Sequence, residues 1–204
     1  LGLTGNFDHS LDFMRGAKYG LLVCNDDIIG KDYLEAKVGA FEKDPEVVLV
    51  CNATNIINPK GKRLFVRKTQ KEDVLDGRTA IYRSYLAGNI FGEPSGVMLR
   101  TSVLDKIKGY DQSLKYVLDW EFSVRAAALG KVAFLKEPLN SFRVSQGSAT
   151  SGIIRSRKNV RREHDFVASE IEQILGFHPG RFLAARRHVL FEIRFFLRLF
   201  VFRI

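Results

Sequence analysis

Two groups of acidic residues in this chain have the types and positions that metal binding and proton transfer require. The first group is Asn25, Asp26 and Asp27, which directly follow a short apolar run typical of a buried strand, residues 21–24. Carboxylates at the carboxyl end of a strand in an open α/β sheet face the crevice where ligands bind. Their oxygen atoms suit Mg²⁺ or Mn²⁺, which neutralise a diphosphate. The triplet therefore predicts a metal site, although taken alone it also fits residues that cap a turn or a helix.

The second group opens a predicted helix about ninety residues later. Asp119 is expected to be the N-cap of a helix over residues 120–129, and Glu121 lies in its first turn. The helix dipole and the free N–H groups stabilise a carboxylate there as the anion, the form that a general base requires. Trp120, the only tryptophan, could stack on a sugar or fill the core. Asp119 is thus either a general base or a plain helix cap.

The elements that position these residues alternate between apolar strands and amphipathic helices. Strands are predicted at residues 21–24, 47–51, 63–66, 95–99 and 132–135, and helices at residues 32–43, near 74–85 and over 120–129. Residues 1–18 are expected to begin as a loop. This alternation predicts an α/β fold with a mainly parallel sheet flanked by helices.

Composition limits the classes of protein that fit this sequence. The chain has 204 residues, of which 46% are hydrophobic and 27% charged, which is typical of a globular protein and not of a disordered one. No apolar run approaches the ~20 residues of a membrane-spanning helix. Cys24 and Cys51 lie in apolar runs and are predicted to be free thiols in a reducing compartment, with a disulfide left open.

The net charge of +9 is concentrated near the C-terminus. Residues 151–204 hold eleven Lys and Arg against five Asp and Glu, a net +6, which leaves +3 for residues 1–150. We therefore divide the chain into a nearly neutral α/β domain, residues 1–150, and a basic helical extension, residues 151–204. Such a basic segment indicates an anionic partner, either membrane headgroups or nucleic acid. A nucleic-acid module would place its basic and aromatic residues on a β-surface, which is not the pattern here.

Four segments carry a resemblance to a known family. Residues 88–100, 109–111, 118–125 and 138–145 resemble the "PS-x-V-M", "G-[FY]-D", acidic-pair and "P-L-x-x-[FY]-R" motifs of family 2 glycosyltransferases of the GT-A fold, in the order in which that family has them. The resemblance covers about residues 5–150. Each motif is weak alone, and their joint order makes the pattern specific.

The resemblance implies a role for each candidate residue. Asp26 or Asp27 would coordinate Mg²⁺ or Mn²⁺ bridging the diphosphate of a nucleotide-sugar donor, and Asp119 would deprotonate the acceptor hydroxyl for an inverting attack. The acceptor would be a glycan or a lipid-linked molecule. The site would lie in the cytoplasm, at the inner face of a membrane. Other residues would shape the donor and acceptor pocket: Trp120 and Glu121 on one side, Glu93, Pro94 and Ser95 on the opposite wall, and Asn25 beside the metal.

The chain departs from the family pattern at three places. The usual D-x-D motif has Cys24 or Asn25 at its leading position, so that one ligand is lost or replaced by an amide oxygen. The "R-x-H" after the last strand is Arg143-Val144-Ser145 here, without the histidine. The nucleotide-binding half that normally precedes residue 1 is missing, and we expect an upstream segment to supply it. These departures keep open a degenerate domain that binds carbohydrate or a protein partner without catalysis.

The last segment, from Pro179 onward, is predicted to be a basic amphipathic helix. On a helical wheel Arg187, Arg194 and Arg198 share one stripe, and the sequence predicts docking on an anionic membrane. The alternative is that the helix packs on the sheet domain or on a second copy of the chain, and a homo-oligomer stays open. The rest of the wheel is apolar, formed by Leu190, Ile193, Phe196, Leu197, Phe200 and Val201, and further basic residues precede it, namely Arg155, Arg157, Lys158, Arg161 and Arg162.

Overall fold

The computed structural model describes residues 2–146, 148–154 and 156–201, which form an α/β fold with one mixed sheet flanked by helices. The helices are α1 (Gly2–Met14), α2 (Tyr33–Lys43), α3 (Gly77–Ala87), α4 (Leu118–Ala127), α5 (Ala149–Ile153), α6 (Arg157–Leu175) and α7 (Arg181–Val201). The strands are β1 (Tyr19–Leu21), β2 (Ile28–Ile29), β3 (Val47–Ile57), β4 (Arg63–Arg67), β5 (Val74–Asp76), β6 (Val97–Arg100) and β7 (Lys131–Arg143). Short 3-10 turns, Pro94–Gly96 and Thr101–Asp105, flank β6.

The sheet is mixed, so the prediction of a mainly parallel sheet was wrong. Its strand order is β1-β6-β3-β7-β2, with β4 paired to β3 and β5 paired to β7. Only β3 and β7 run parallel among the described pairs, and the other five pairs are antiparallel. Parallel strands need a long crossover connection, whereas the turn at residues 58–61 joins β3 to β4 as an antiparallel hairpin. Alternating helices and apolar runs do not specify strand direction.

The two central strands are longer than their apolar runs suggested, because they continue through buried polar residues. Asn52 and Thr54 of β3 donate hydrogen bonds from Nδ2 and Oγ1 to Asn140 Oδ1 of β7, at 2.7 and 3.1 Å. These contacts satisfy polar groups that would otherwise be costly to bury. The predicted strands, residues 47–51 and 132–135, are therefore only the first parts of β3 and β7.

The core lies on both faces of the central strand. Leu49 and Cys51 of β3 face the larger cluster, which includes α3, α4 and part of α6, whereas Val50 faces the smaller cluster beside α2. This alternation is the normal consequence of the two-residue period of a strand. Cys51 is buried, Cys24 is half-buried, and both are free thiols.

The N-terminal segment was predicted wrongly, whereas the C-terminal extension was predicted correctly as helical. The chain begins with α1 and not with the expected loop, because tertiary contacts hold this helix: Leu11 and Met14 are buried, and Thr4 Oγ1 donates to the carbonyl of Leu114 at 2.7 Å. The C-terminal extension is helical as expected. Its helix α6 ends at Gly176, which has a left-handed backbone conformation that glycine favours.

The segment between β1 and β2 places the first acidic group. β1 and β2 lie at opposite ends of the strand order, so residues 22–27 pass across the ends of the strands between them. The N–H of Cys24 donates to Ser95 Oγ at 2.9 Å on the way, and the N–H of Asp27 closes a turn on the carbonyl of Cys24 at 3.1 Å. The predicted strand over residues 21–24 ends at Leu21 for this reason.

Candidate functional site

A cavity of about 690 Å³ opens where residues 22–26 cross the end of the sheet. Its size is within the range of small-molecule binding sites. Its walls come from α1, from the ends of β4 and β7, from the loop before β6, from the first turn of α4, and from α6 and α7. The cavity therefore gathers residues from most of the length of the chain.

Six of the nine candidate residues line this cavity, and the other three do not. The six that line it are Asn25, Asp26, Glu93, Pro94, Asp119 and Trp120. The remaining three, Asp27, Ser95 and Glu121, are not among its lining residues.

Asp26 and Asp27 differ in their surroundings. Asp26 is exposed, and its backbone carbonyl accepts a hydrogen bond from Arg143 Nε at 3.0 Å. Asp27 is half-buried, and its Oδ1 accepts from the N–H of Arg143 at 3.1 Å. Burial raises the pKa of Asp27 to about 6, while hydrogen bonds from the Ser95 side chain and the Arg143 backbone oppose the rise.

The donor set at this turn fits a magnesium-type ion only if a substrate contributes ligands. Among the residues that the structure describes, no three His, Cys, Asp or Glu side chains converge on one metal position. However, Oδ2 of Asp27 is buried without a hydrogen-bond partner, and an oxygen left in this way is suited to a cation. Mg²⁺ is often held by one or two carboxylates together with substrate phosphates and water.

Ser95 and Cys24 hold the crossing segment against the sheet. Ser95 is buried, accepts from Cys24 through its hydroxyl, and accepts from the Tyr33 hydroxyl through its carbonyl at 2.8 Å. Burial and the charge of Asp27 raise the pKa of Cys24 to about 11, so the thiol stays neutral near pH 7. Ser95 thus positions the acidic turn and does not itself face the cavity.

Asp119 lies in the first turn of α4 and not at its N-cap, so that part of the sequence prediction was wrong. The N-cap is Val117, and the Asp119 carboxylate faces the cavity, where Asn89 Nδ2 donates to its Oδ2 at 3.1 Å. Burial raises the pKa of Asp119 to about 6, and the negative charge of Glu93 adds to this rise. The N–H of Trp120 and the charge of Arg198 oppose it.

Asn89 is a site residue to which the sequence analysis gave no role. Its Oδ1 accepts from the N–H groups of Phe91 and Gly92 at 3.0 and 3.1 Å, and its Nδ2 donates to the carbonyl of Gly92 at 3.0 Å. The amide is therefore fixed in orientation before it contacts Asp119. An asparagine in a short loop between Gly88 and Gly92 is the signal that could have identified it.

Arg67 is the second residue that was missed. Its Nη2 pairs with Glu93 Oε2 at 2.7 Å in the cavity wall, and both side chains are mostly buried. Gly92 allows this approach, because a Cβ there would lie 2.5 Å from Arg67 Nη2 and its φ of +118° is unfavourable for other residues. No sequence pattern indicated this contact between β4 and a loop 26 residues later.

Trp120 and Glu121 point in different directions from adjacent positions. Trp120 is 3% exposed, its ring centroid lies 5.2 Å from that of His164, and its indole N–H has no partner among the described residues. Glu121 is buried and pairs with Arg125, which also donates to the carbonyls of Lys108 and Gly109. The geometry therefore gives Glu121 a structural role beneath the turn at residues 109–111, and not a place in the pocket.

The α7 side of the cavity is basic and aromatic. Arg198 lines it together with Tyr116 and His164, and Arg198 Nη1 donates to the Tyr116 hydroxyl at 2.7 Å. Burial, together with the charges of Arg198, Arg187 and Arg194, lowers the pKa of His164 to about 3, so this imidazole is neutral. The cavity thus has carboxylates near the β1–β2 segment and cationic side chains near α7.

Comparisons with known proteins assign no family to this chain. No protein-family model matches the sequence, and no curated protein is significantly similar to it. Within the part of the chain that the structure describes, no helix combines the length and the apolar character needed to cross a membrane.

Proposed function

We propose that the protein is a glycosyltransferase of the GT-A type, which transfers a sugar from a nucleotide-sugar donor to a glycan or lipid-linked acceptor. The observation that carries the proposal is the meeting of Asp26 and Asp119 in one cavity, although 93 positions separate them in the sequence. Between them the cavity wall offers Asn25, Glu93 and Trp120, which are polar and aromatic groups suited to a sugar.

Asp26 and Asp27 are the residues that would hold a divalent cation in this proposal. Asp27 Oδ2 lacks a partner and the neighbouring Asp26 is exposed, so each residue has a carboxylate oxygen that can accept a ligand. Mg²⁺ or Mn²⁺, when bound, supplies Lewis-acid stabilisation of the departing nucleoside diphosphate. Asn25 adds an amide oxygen at the leading position of the motif.

Asp119 is the general base in this proposal. The acceptor hydroxyl would give its proton to the Asp119 carboxylate while its oxygen bonds to the anomeric carbon, and the bond from that carbon to the diphosphate would break. Attack opposite the leaving group inverts the anomeric configuration. A pKa of about 6 keeps Asp119 ionised at pH 7 and more basic than an ordinary carboxylate. Asn89 holds it in orientation.

A second candidate function is a domain that binds carbohydrate or a protein partner without catalysis. It is favoured by the hydrogen bond from the Arg143 N–H to Asp27 Oδ1, which occupies one of the oxygens that a metal would need. It also agrees with Asn25 at a position where the family pattern has an aspartate. The two functions share the cavity and differ in whether Asp119 is needed for more than binding.

We also propose that α7 docks the protein on an anionic membrane at the cytoplasmic face, where a lipid-linked acceptor would lie. The outward side of α7 exposes Phe196 and Leu197 at 60% and 62%, together with Phe182, Val189 and Ile193. Exposed basic residues that complement anionic headgroups are Arg181 and Arg186 of α7 and Arg157, Lys158, Arg161 and Arg162 of α6. Arg155 and the side chains of Phe200 and Val201, also assigned to this surface from the sequence, lie outside the described residues.

The metal part of the proposal is tested by titrating uridine and guanosine diphosphate into the protein with and without Mn²⁺. Asp26→Ala combined with Asp27→Ala should lower the Mn²⁺-dependent affinity at least tenfold, about 1.4 kcal/mol. Asp32→Ala is a matched control, because Asp32 is exposed just after the same segment and its side chain makes no capping bond. An unchanged Mn²⁺-dependent affinity in the double variant would contradict the metal site.

A further inference from the structure

The inward face of α7 carries the three arginines that share one stripe of the helical wheel. Arg187 Nη2 pairs with Asp165 Oδ1 at 2.9 Å, and its guanidinium lies 5.6 Å from the Tyr85 ring centroid. Arg198 donates to the Tyr116 hydroxyl and lies 5.7 Å from the centroid of the same ring. Arg194 lies between them, half-buried. All three therefore face the body of the protein.

The positive charge of this cluster is only partly compensated. Asp165 pairs with Arg187 and also lies 3.6 Å from Arg161 Nε, and the charge of Arg198 acts on Asp119 without an ion pair. Neither Arg194 nor Arg198 forms an ion pair with any acid of the described residues. Arg194 Nη1 instead lies against Gly88, 3.5 Å from where a Cβ would stand. Partly buried guanidinium groups without counter-ions are costly, which suggests that a ligand supplies the missing charge.

A second observation at the same place points to a ligand with acceptor oxygens. Trp120 is 97% buried, yet its indole N–H lacks a partner, and His164 Nε2 is also buried without one. Both side chains, together with Arg198, line the main cavity and a small neighbouring pocket that Arg187 and Arg194 also line. A buried indole donor and a buried imidazole nitrogen without partners are unfavourable unless a ligand forms hydrogen bonds with them.

We propose that Arg194, Arg198 and the indole N–H of Trp120 form a binding site for a phosphate ester at the α7 side of the cavity. Guanidinium groups present planar pairs of donors that match phosphate oxygens, and arginine stays charged at all relevant pH values. This inference rests on the proposed function in one respect, since it names a chemical group of the substrate. The phosphate belongs either to the acceptor or to the diphosphate of the donor.

The position of the cluster distinguishes it from the acidic turn. Asp26 and Asp27 lie on the segment between β1 and β2, whereas the arginines come from α7, and Asp119 and Trp120 lie on α4 between these walls. A phosphate on the acceptor would thus be held on one side of Asp119 while the donor diphosphate is held on the other.

The test is binding of inorganic phosphate and pyrophosphate to the full chain without divalent metal, measured by calorimetry. Arg194→Gln and Arg198→Gln should each weaken binding at least tenfold, and Arg198→Lys should weaken it less because it keeps the charge but loses the paired donors. Arg63→Gln is the matched control, since Arg63 is exposed on β4 and lines neither pocket, and it should bind as the parent does. Thermal unfolding checks that each variant is folded.

Two further arms identify the source of the phosphate. If it belongs to the acceptor, Arg198→Gln should weaken binding of a short alkyl phosphate and leave uridine diphosphate with Mn²⁺ unaffected; the reverse result assigns the site to the donor. No phosphate binding by the parent, or an equal loss in Arg63→Gln, overturns the inference. The Asp26→Ala, Asp27→Ala double variant should still bind phosphate. The proposals of an arginine site and of a metal site are therefore tested independently.

Discussion

Asp119→Asn is the most informative single change, because the structure predicts opposite effects on activity and on stability. Asparagine keeps the size of the side chain and can still accept the hydrogen bond from Asn89 Nδ2, but it cannot take a proton. If Asp119 is the general base, the rate of transfer should fall by about two to four orders of magnitude. Donor binding should be retained, because the acidic turn at Asp26 is unaltered.

The stability effect follows from the raised pKa of Asp119. A carboxylate whose pKa in the folded protein exceeds its unfolded value favours folding when protonated and loses that contribution as the pH rises through the folded pKa. A rise from 3.8 to about 6 is worth at most about 3 kcal/mol, and solvent in the cavity reduces this to roughly 1–2 kcal/mol. The Asn variant should therefore be more stable than the parent at pH 8 by that amount, and equally stable near pH 4.

The assay combines transfer rates between pH 5 and 8 with denaturant unfolding at pH 4 and at pH 8. The rate of the parent should decline below about pH 6, where Asp119 and Asp27 both become protonated. The residual rate of the variant should decline less steeply, because only Asp27 still titrates there. Glu35→Gln is the matched control, because Glu35 is an exposed carboxylate in the first turn of α2. A variant that keeps most of its rate and loses about 0.3–1 kcal/mol would show that Asp119 only stabilises its helix.

Two other predictions concern the surface and the interior of the helical layer. Replacing Phe196 and Leu197 with Ser should abolish cosedimentation with liposomes that contain acidic lipid, whereas Phe13→Ser, a change at an even more exposed position on α1, should not. Equal recovery of the parent and the double variant with the liposomes would refute docking through α7. Burial and the charge of Glu121 raise the pKa of Glu170 to about 7. Glu170→Gln should therefore stabilise the protein by about 1 kcal/mol at pH 8 but not at pH 4, as measured by thermal unfolding. A variant with equal or lower stability than the parent at pH 8 would contradict this prediction.

The sequence predicted most of the helices, because helices depend on local patterns. The helical extension is an example. Strand direction was predicted wrongly, because it depends on which strands become neighbours, and an apolar run does not encode that. The length of β3 was underestimated for a similar reason: Asn52 and Thr54 are buried only because Asn140 accepts their hydrogen bonds from a strand 86 or more positions away.

Within the candidate site, the sequence identified positions better than orientations. Asp26 and Asp119 meet in one cavity, as the motif order implied. Glu121 does not, because Arg125 one helical turn later draws its carboxylate beneath the neighbouring turn. Asn89 and Arg67 were missed because their partners, Asp119 and Glu93, are 30 and 26 positions away. Contacts of this kind are made by the folded chain and leave no periodic signal.

The orientation of α7 is where the physical argument from the sequence alone was most incomplete. The helical wheel separated an arginine stripe from an apolar face, but a wheel does not say which side faces the protein. Arg187 and Arg198 face inward because the rings of Tyr85 and Tyr116 and the carboxylate of Asp165 stabilise their positive charges. Phe196 and Leu197 are exposed on the other side of the helix. Exposing apolar side chains while partly burying arginines is unfavourable in water unless both faces have partners. A membrane on the outward face and a phosphate on the inward face would satisfy both conditions, and both would be present together where a phosphate-bearing lipid acceptor meets the cavity.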